Sequence, residues 1–305
     1  MASKKVSRRY ALNEFNTIGL ILIIYCLFVL FIPLVLNELI PLMFEEDTWN
    51  GINISMGIKT ISMVIGTLLP FSLLRLASRK HKKEKEKKIK VSFKQTLCQS
   101  IVFFTLTSAS IFAMTAIANF FGADGELVSG IGISIDSEHM NDFLYVVTFV
   151  FISPILEEFA FRGVLLDTLS KYGKFFALYA SAIIYSLAHG SFLEFLPSFI
   201  MGILLGKLAL RYKSIKPVIS IHIIFNLLLY LSFIIPENMS YYIAAFYALI
   251  YITAVVLYFT RQYKHISVRK SNSNSKVTIM FLTTFSVVAA MLLFIAHSVL
   301  TMLLR

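Results

Sequence analysis

The chain has 305 residues, 57% of them hydrophobic and only 15% charged, with a formal net charge of +11. Its mean hydropathy is +0.77. A soluble domain is about 45–50% apolar and about 25% charged, so this composition excludes a water-soluble globular protein and a disordered chain, and points to an all-α, polytopic membrane helix bundle. The basic residues lie between apolar runs, so membrane topology accounts for the positive charge and no nucleic-acid partner is expected. Cys26 and Cys98 lie in or beside apolar runs and indicate no disulfide framework.

A bilayer core about 30 Å thick takes roughly 20 helical residues to cross. Nine apolar segments meet or approach that length, at about 17–43, 55–74, 96–121, 143–166, 174–190, 192–210, 217–235, 240–260 and 277–304. The fifth is short and touches the sixth at Gly190-Ser191, so eight spans plus one re-entrant segment is the alternative. Three regions follow: 1–142 with the first spans and a basic linker, a core at 143–235, and 236–305 with the last spans.

The linkers set the orientation. With a cytoplasmic N-terminus, the inner stretches are 1–16, 75–95, 162–174, 207–216 and 261–276, and they hold 26 of the 28 basic residues. The exceptions are Lys59 and Arg305. The outer linkers carry Glu45, Glu46, Asp47, Asp124, Glu126, Asp136, Glu138 and Asp142. This positive-inside pattern predicts a multi-pass protein, most simply of a bacterial cytoplasmic membrane, with the C-terminus outside. The first segment is too long for a signal-peptide core and reads as retained. The run from Arg79 to Lys90 reads first as a solvated inner linker and second as a site for anionic lipid headgroups. Gly202 and Gly206 form a small-xxx-small spacing that predicts close helix packing.

The fourth segment carries Glu157 and Glu158 followed by Arg162. Charges in a membrane helix are costly and mark function or a salt bridge. Glu158 and Arg162 are four residues apart and can pair. Glu157 points about 100° away and needs another partner. Tyr185 and His189 are one turn apart at the end of the fifth segment, and His222 and Asn226 share a face of the seventh. His297, without polar company, reads as a satisfied interior residue. Two carboxylates, two histidines and an amide in neighbouring segments supply a base, a proton carrier and an oxyanion donor, the groups that attack a carbonyl with water.

These motifs, Glu157-Glu158-x-x-x-Arg162, Tyr185-x-x-x-His189 and His222-x-x-x-Asn226, together resemble the CAAX-protease and bacteriocin-processing family, whose members are intramembrane endopeptidases. The resemblance covers about 143–235. Tyr185 stands where phenylalanine is common, and the aromatic ring is kept. The resemblance implies that Glu157 polarises the attacking water and that His189 orients it and carries its proton. It implies that His222 and Asn226 stabilise the oxyanion, while Glu158 and Arg162 hold the site by pairing. The family is often labelled metalloprotease. If zinc is present, Glu157, His189 and His222 are its expected ligands; the metal-independent form, with no cofactor, is the favoured expectation because no single helix carries a metalloprotease spacing.

The implied activity is cleavage of a peptide or protein substrate near the cytoplasmic side, on a prenylated tail, a pheromone precursor or a bacteriocin leader. A bacteriocin self-immunity protein is the second reading. An ion-coupled transporter is the third, and the absence of a matching polar set in the first three segments counts against it. Straight helices present one difficulty: they put His189 about 22 Å above Lys174 but His222 about 8 Å above Pro217, a mismatch in depth of about 14 Å.

Overall fold

The computed structural model describes residues 7–43, 54–78, 89–120, 143–234, 239–260 and 275–303. Among them there is no strand, and the chain is an all-α polytopic bundle as expected. Seven helices are long and apolar enough to cross a membrane. Lys174–Leu187 and Lys216–Leu231 are two shorter apolar helices. Together they occupy the nine expected segments. Large apolar side chains such as Phe120, Ile252 and Phe259 face outward, as lipid contact requires and water would penalise. Most of the 79–90 run, all of 122–142 and most of 261–276 lie outside the described residues.

The chain divides into two compact units. The first holds residues 1–84, 164–177 and 270–305, and the second 85–163 and 178–269. The segment 164–177, inside the core expected at 143–235, therefore belongs to the first unit.

In the first unit, the N-terminal helix starts at Arg8 rather than near residue 17, with the Ser7 hydroxyl accepting from the Tyr10 amide at 3.3 Å. Glu14, expected in a water-exposed tail, is buried. It accepts from Lys171 Nζ at 2.5 Å, from the Tyr172 hydroxyl at 2.6 Å and from the Ser78 hydroxyl at 3.5 Å. A buried carboxylate persists only with such partners, since its desolvation costs several kcal/mol (about) when unpaired. Phe15 packs beside this cluster on Tyr172, Phe176 and Phe281. Gly19 permits a close crossing: a Cβ there would collide with the backbone at Ser286 and Val287. The last segment is broken at Thr283-Thr284 into Ser275–Leu282 and Phe285–Leu303, so only its second part is long enough to span. His297 is buried there, edge-on to Phe31 at 5.4 Å.

Two π-helical turns share one cause. Leu27–Phe31 ends at Ile32, before Pro33, and Thr148–Ile152 ends at Ser153, before Pro154. Proline has no N–H and its ring presses on the carbonyl four residues back. Widening the turn by one residue relieves that clash.

In the second unit, Phe93–Phe120 is the central helix, packed on Phe192–Tyr212, Lys216–Ile234 and Ser240–Phe259. Phe225 meets Phe103 and Phe104 at 5.2 and 5.8 Å, and Tyr251 and Ser108 share a 3.1 Å hydrogen bond. Gly202 lies where a Cβ would come within 3.0 Å of Ala182, which bears out the close packing read from its spacing. The Ile89 amide donates to the Tyr212 carbonyl at 3.2 Å, so the start of Phe93–Phe120 and the end of Phe192–Tyr212 lie together. That end carries Lys90, Lys94, Lys207, Arg211, Lys213 and Lys216. Beyond Phe120 the sequence continues into 121–142, outside the described residues, with five acidic residues and no lysine or arginine.

Candidate active site

All six expected site residues fall in the second unit: four line one cavity, and Glu158 and Arg162 touch His222 and Tyr185, which line it too. The cavity has a volume of about 270 Å³ and is lined by Ser153, Glu157, Tyr185, His189, His222 and Asn226 among others. Despite the depth mismatch expected between them, both histidines line this cavity. The 174–187 helix has only 14 residues and ends before His189, which sits in a tight turn closed by Gly190 at φ 68°. The Ser186 hydroxyl donates to the Phe195 carbonyl and ties this turn to the next helix.

The two glutamates have separate roles. Glu158 is fully buried. Its Oε1 takes Arg162 Nη1 at 2.9 Å and His222 Nδ1 at 2.9 Å. The Glu158–Arg162 pair expected from spacing is therefore present, and His222 completes it. Glu157 keeps 20% of its side chain accessible, on the cavity. The partner it was expected to need is double: the Tyr185 hydroxyl donates to Oε2 at 2.9 Å and the Ser153 hydroxyl donates to Oε1. Tyr185 also puts its ring face under the Arg162 guanidinium, 4.1 Å from the centroid. The hydroxyl that distinguishes Tyr185 from phenylalanine thus acts on the base itself. Ser153 lies four residues before Glu157, one helical turn back, and that spacing was the available sequence signal.

Each histidine is oriented through Nδ1. His222 Nδ1 faces the Glu158 carboxylate, and His189 Nδ1 lies 2.8 Å from the Tyr185 carbonyl. Both partners only accept, so Nδ1 carries a proton in each ring and Nε2 is the nitrogen left to face the cavity. His222 Nε2 stands 4.0 Å from Glu157 Oε2, a gap that one bridging oxygen can fill.

Asn226 has a task that its spacing did not disclose. In the π turn, the Ser153 amide bonds to the Thr148 carbonyl. The next carbonyl, that of Phe149, would take the amide of residue 154, which is proline and has none. Asn226 Nδ2 donates to the Phe149 carbonyl at 2.8 Å and fills that vacancy. One N–H of the amide remains for a ligand.

The lining fixes where the cavity runs. Phe149, Ser153, Glu194, Pro197, Ser198, Met201 and Leu229 extend it from the glutamates toward the acidic ends of the helices. None of the lining residues lies at the basic ends. Glu157 lies near the middle of its span, Phe143–Tyr172.

As a metal site the set falls short. Among the described residues no three His, Cys, Asp or Glu side chains come close enough to hold a metal ion. Glu157, His189 and His222 line one cavity but do not converge on a point, and no step below passes through a metal.

A polytopic helical bundle with a carboxylate–histidine cluster inside it has the form of a membrane-embedded hydrolase. A family model described as Type II CAAX prenyl endopeptidase Rce1-like matches residues 139–228, the stretch that contains all six site residues. That stretch is therefore similar to a family of membrane proteases, in agreement with the resemblance read from the three motifs. No curated protein and no solved structure matches the chain.

Proposed function

We propose that the protein is an intramembrane endopeptidase that hydrolyses a peptide bond with a water activated by Glu157. The observation that carries this reading is the asymmetry of the adjacent glutamates. Glu158 is sealed and spent on Arg162 and His222, while Glu157 reaches the cavity with both oxygens oriented by hydroxyl donors. A water between Glu157 and His222 Nε2 gives up its proton to Glu157 as its oxygen attacks the scissile carbonyl. His189 positions that water from the other side. The oxyanion takes hydrogen bonds from the free N–H of Asn226 and from His222 Nε2–H, with the ring held in place by Glu158. Collapse of the tetrahedral intermediate breaks the C–N bond, and Glu157 returns the proton to the leaving amine.

The substrate enters from the acidic side. By the positive-inside rule that side is external. A peptide precursor or leader presented at the outer half of the membrane fits this cavity better than a prenylated tail on the cytoplasmic face. Self-immunity is compatible with the same site. The test is peptidomics of membranes and medium from cells carrying the wild type or Glu157→Gln. Peptides trimmed only by the wild type support the reading, and identical peptidomes at equal protein levels reject it.

A further inference from the structure

A second cavity, of about 160 Å³, lies at the basic end of the second unit and is lined by Ile89, Lys90, Gln95, Cys98, Gln99, Arg211 and Tyr212. We propose that it binds a phosphate group, supplied by the headgroup of an anionic phospholipid or by free phosphate. The lining holds two cations and no carboxylate. Neither Lys90 nor Arg211 forms an ion pair among the described residues. The Phe93–Phe120 helix begins beside the cavity, with Ser92 capping the Gln95 amide at 3.3 Å, so the positive end of its dipole adds to the field.

Gln99 is the second, independent feature. It is only 6% exposed. Its Oε1 accepts from the Tyr212 hydroxyl at 2.8 Å, which fixes the amide so that Nε2 is the group left over. That nitrogen has no hydrogen-bond partner among the described residues and, in a side chain that lines the cavity, is the donor left to face it. A donor amide, a guanidinium, an ammonium and a helix N-terminus around one small space are what a phosphate's oxygens require. At about 160 Å³ the cavity has room for one phosphate group. Its place among basic residues at the helix ends puts it at headgroup depth, and Lys90 closes the run from Arg79.

The experiment uses the full chain purified in a non-ionic detergent. Inorganic phosphate, dioctanoyl phosphatidylglycerol and neutral dioctanoylglycerol are titrated separately, and bound species are read by native mass spectrometry and by the thermal melting midpoint. The expected result is saturable binding of phosphatidylglycerol with a raised midpoint, no binding of dioctanoylglycerol, and at least a tenfold loss of affinity in Lys90→Gln/Arg211→Gln. Binding of inorganic phosphate as tight as that of the lipid supports the site and names free phosphate as its source. A control variant, Lys264→Gln/Arg269→Gln, should bind as the wild type does. Equal affinity in the Lys90→Gln/Arg211→Gln protein, or equal binding of the neutral lipid, overturns the proposal. Gln99→Glu gives a second reading, because it keeps the shape and adds a repelling charge; unchanged affinity there also overturns it.

Discussion

The Tyr185 hydroxyl donates a 2.9 Å hydrogen bond to Glu157 Oε2. The same ring carries Arg162 on its face, so one side chain fixes the base and supports the cation that neutralises Glu158. Tyr185→Phe keeps the ring and removes only the donor. The carboxylate then retains Ser153 alone and is less well oriented. Misplacement of a reacting group by about 1 Å can cost up to about 10² in rate, and the expected loss here is about tenfold in kcat with little change in KM and normal abundance. Steady-state kinetics on a substrate peptide, normalised to protein in the membrane, checks this.

Glu157→Gln and Glu158→Gln should fail in different ways. The first removes the base from a partly accessible position, so activity falls below detection while the protein accumulates. The second leaves Arg162 as an uncompensated buried cation and weakens the acceptor that orients His222. Breaking a buried pair costs about 3–5 kcal/mol, so abundance should fall along with activity. Immunoblots of membranes beside the peptide assay separate the two outcomes.

Asn226→Ala should damage stability as well as catalysis. It leaves the Phe149 carbonyl buried without the donor that Pro154 cannot supply. An orphaned buried acceptor costs about 1–3 kcal/mol, and loss of an oxyanion donor costs about 10²–10³ in rate. Asn226→Gln can still reach one of the two positions but not both. A melting curve in detergent, together with kcat, reads the two effects; a stable but inactive Asn226→Ala protein would remove the structural half of the argument.

Much of the site was legible because its charged groups are expensive in a membrane. Glu157, Glu158, Arg162, His189, His222 and Asn226 stand out in apolar segments whatever their exact geometry. Their partners were less visible. Hydroxyls such as Ser153 and Tyr185 carry little penalty in a helix and leave no mark on hydropathy. Straight-helix depth misjudged the histidines: both line one cavity, and ending the fifth segment at Leu187 accounts for only about 3 Å of the mismatch. Two of the π segments were indicated only by Pro33 and Pro154, and proline announces a disturbance without specifying its form; the third, Glu158–Leu166, has no proline to mark it. Glu14 was misplaced because an acidic residue near basic ones reads as tail, and its partners Lys171 and Tyr172 are more than 150 residues away in sequence.

Sidedness is decided by accessibility. The basic ends of the second unit predict that residue 85 is cytoplasmic, and the acidic linker predicts that residue 137 is external. Native Cys26 and Cys98 are buried and should react slowly. In intact cells, a membrane-impermeant maleimide should label Ser137→Cys at once and Lys85→Cys only after permeabilisation. The reverse pattern would place the cavity toward the cytoplasm and return a prenylated tail to the first rank of substrates.

The last prediction concerns metal. A zinc site needs three protein ligands converging at about 2.0–2.2 Å on one ion, with a fourth position open. Here Glu157 is held by Tyr185 and Ser153, and His222 Nε2 is 4.0 Å from Glu157 Oε2. No three ligand side chains among the described residues converge on such a point. On the function proposed above, Glu157 polarises the water without a metal, and the oxyanion depends on His222 and Asn226. Exhaustive chelation of the purified active protein should therefore leave turnover within about twofold, where loss of a metal that activates the water would remove several kcal/mol (about) of stabilisation. His222→Ala should lower kcat by about 10²–10³, the typical cost of one oxyanion donor, without changing metal content. Elemental analysis measured beside activity decides the matter. One equivalent of zinc, lost with activity on chelation and restored with it on addition, would show that Glu157, His189 and His222 close around an ion and that the water is activated by the metal.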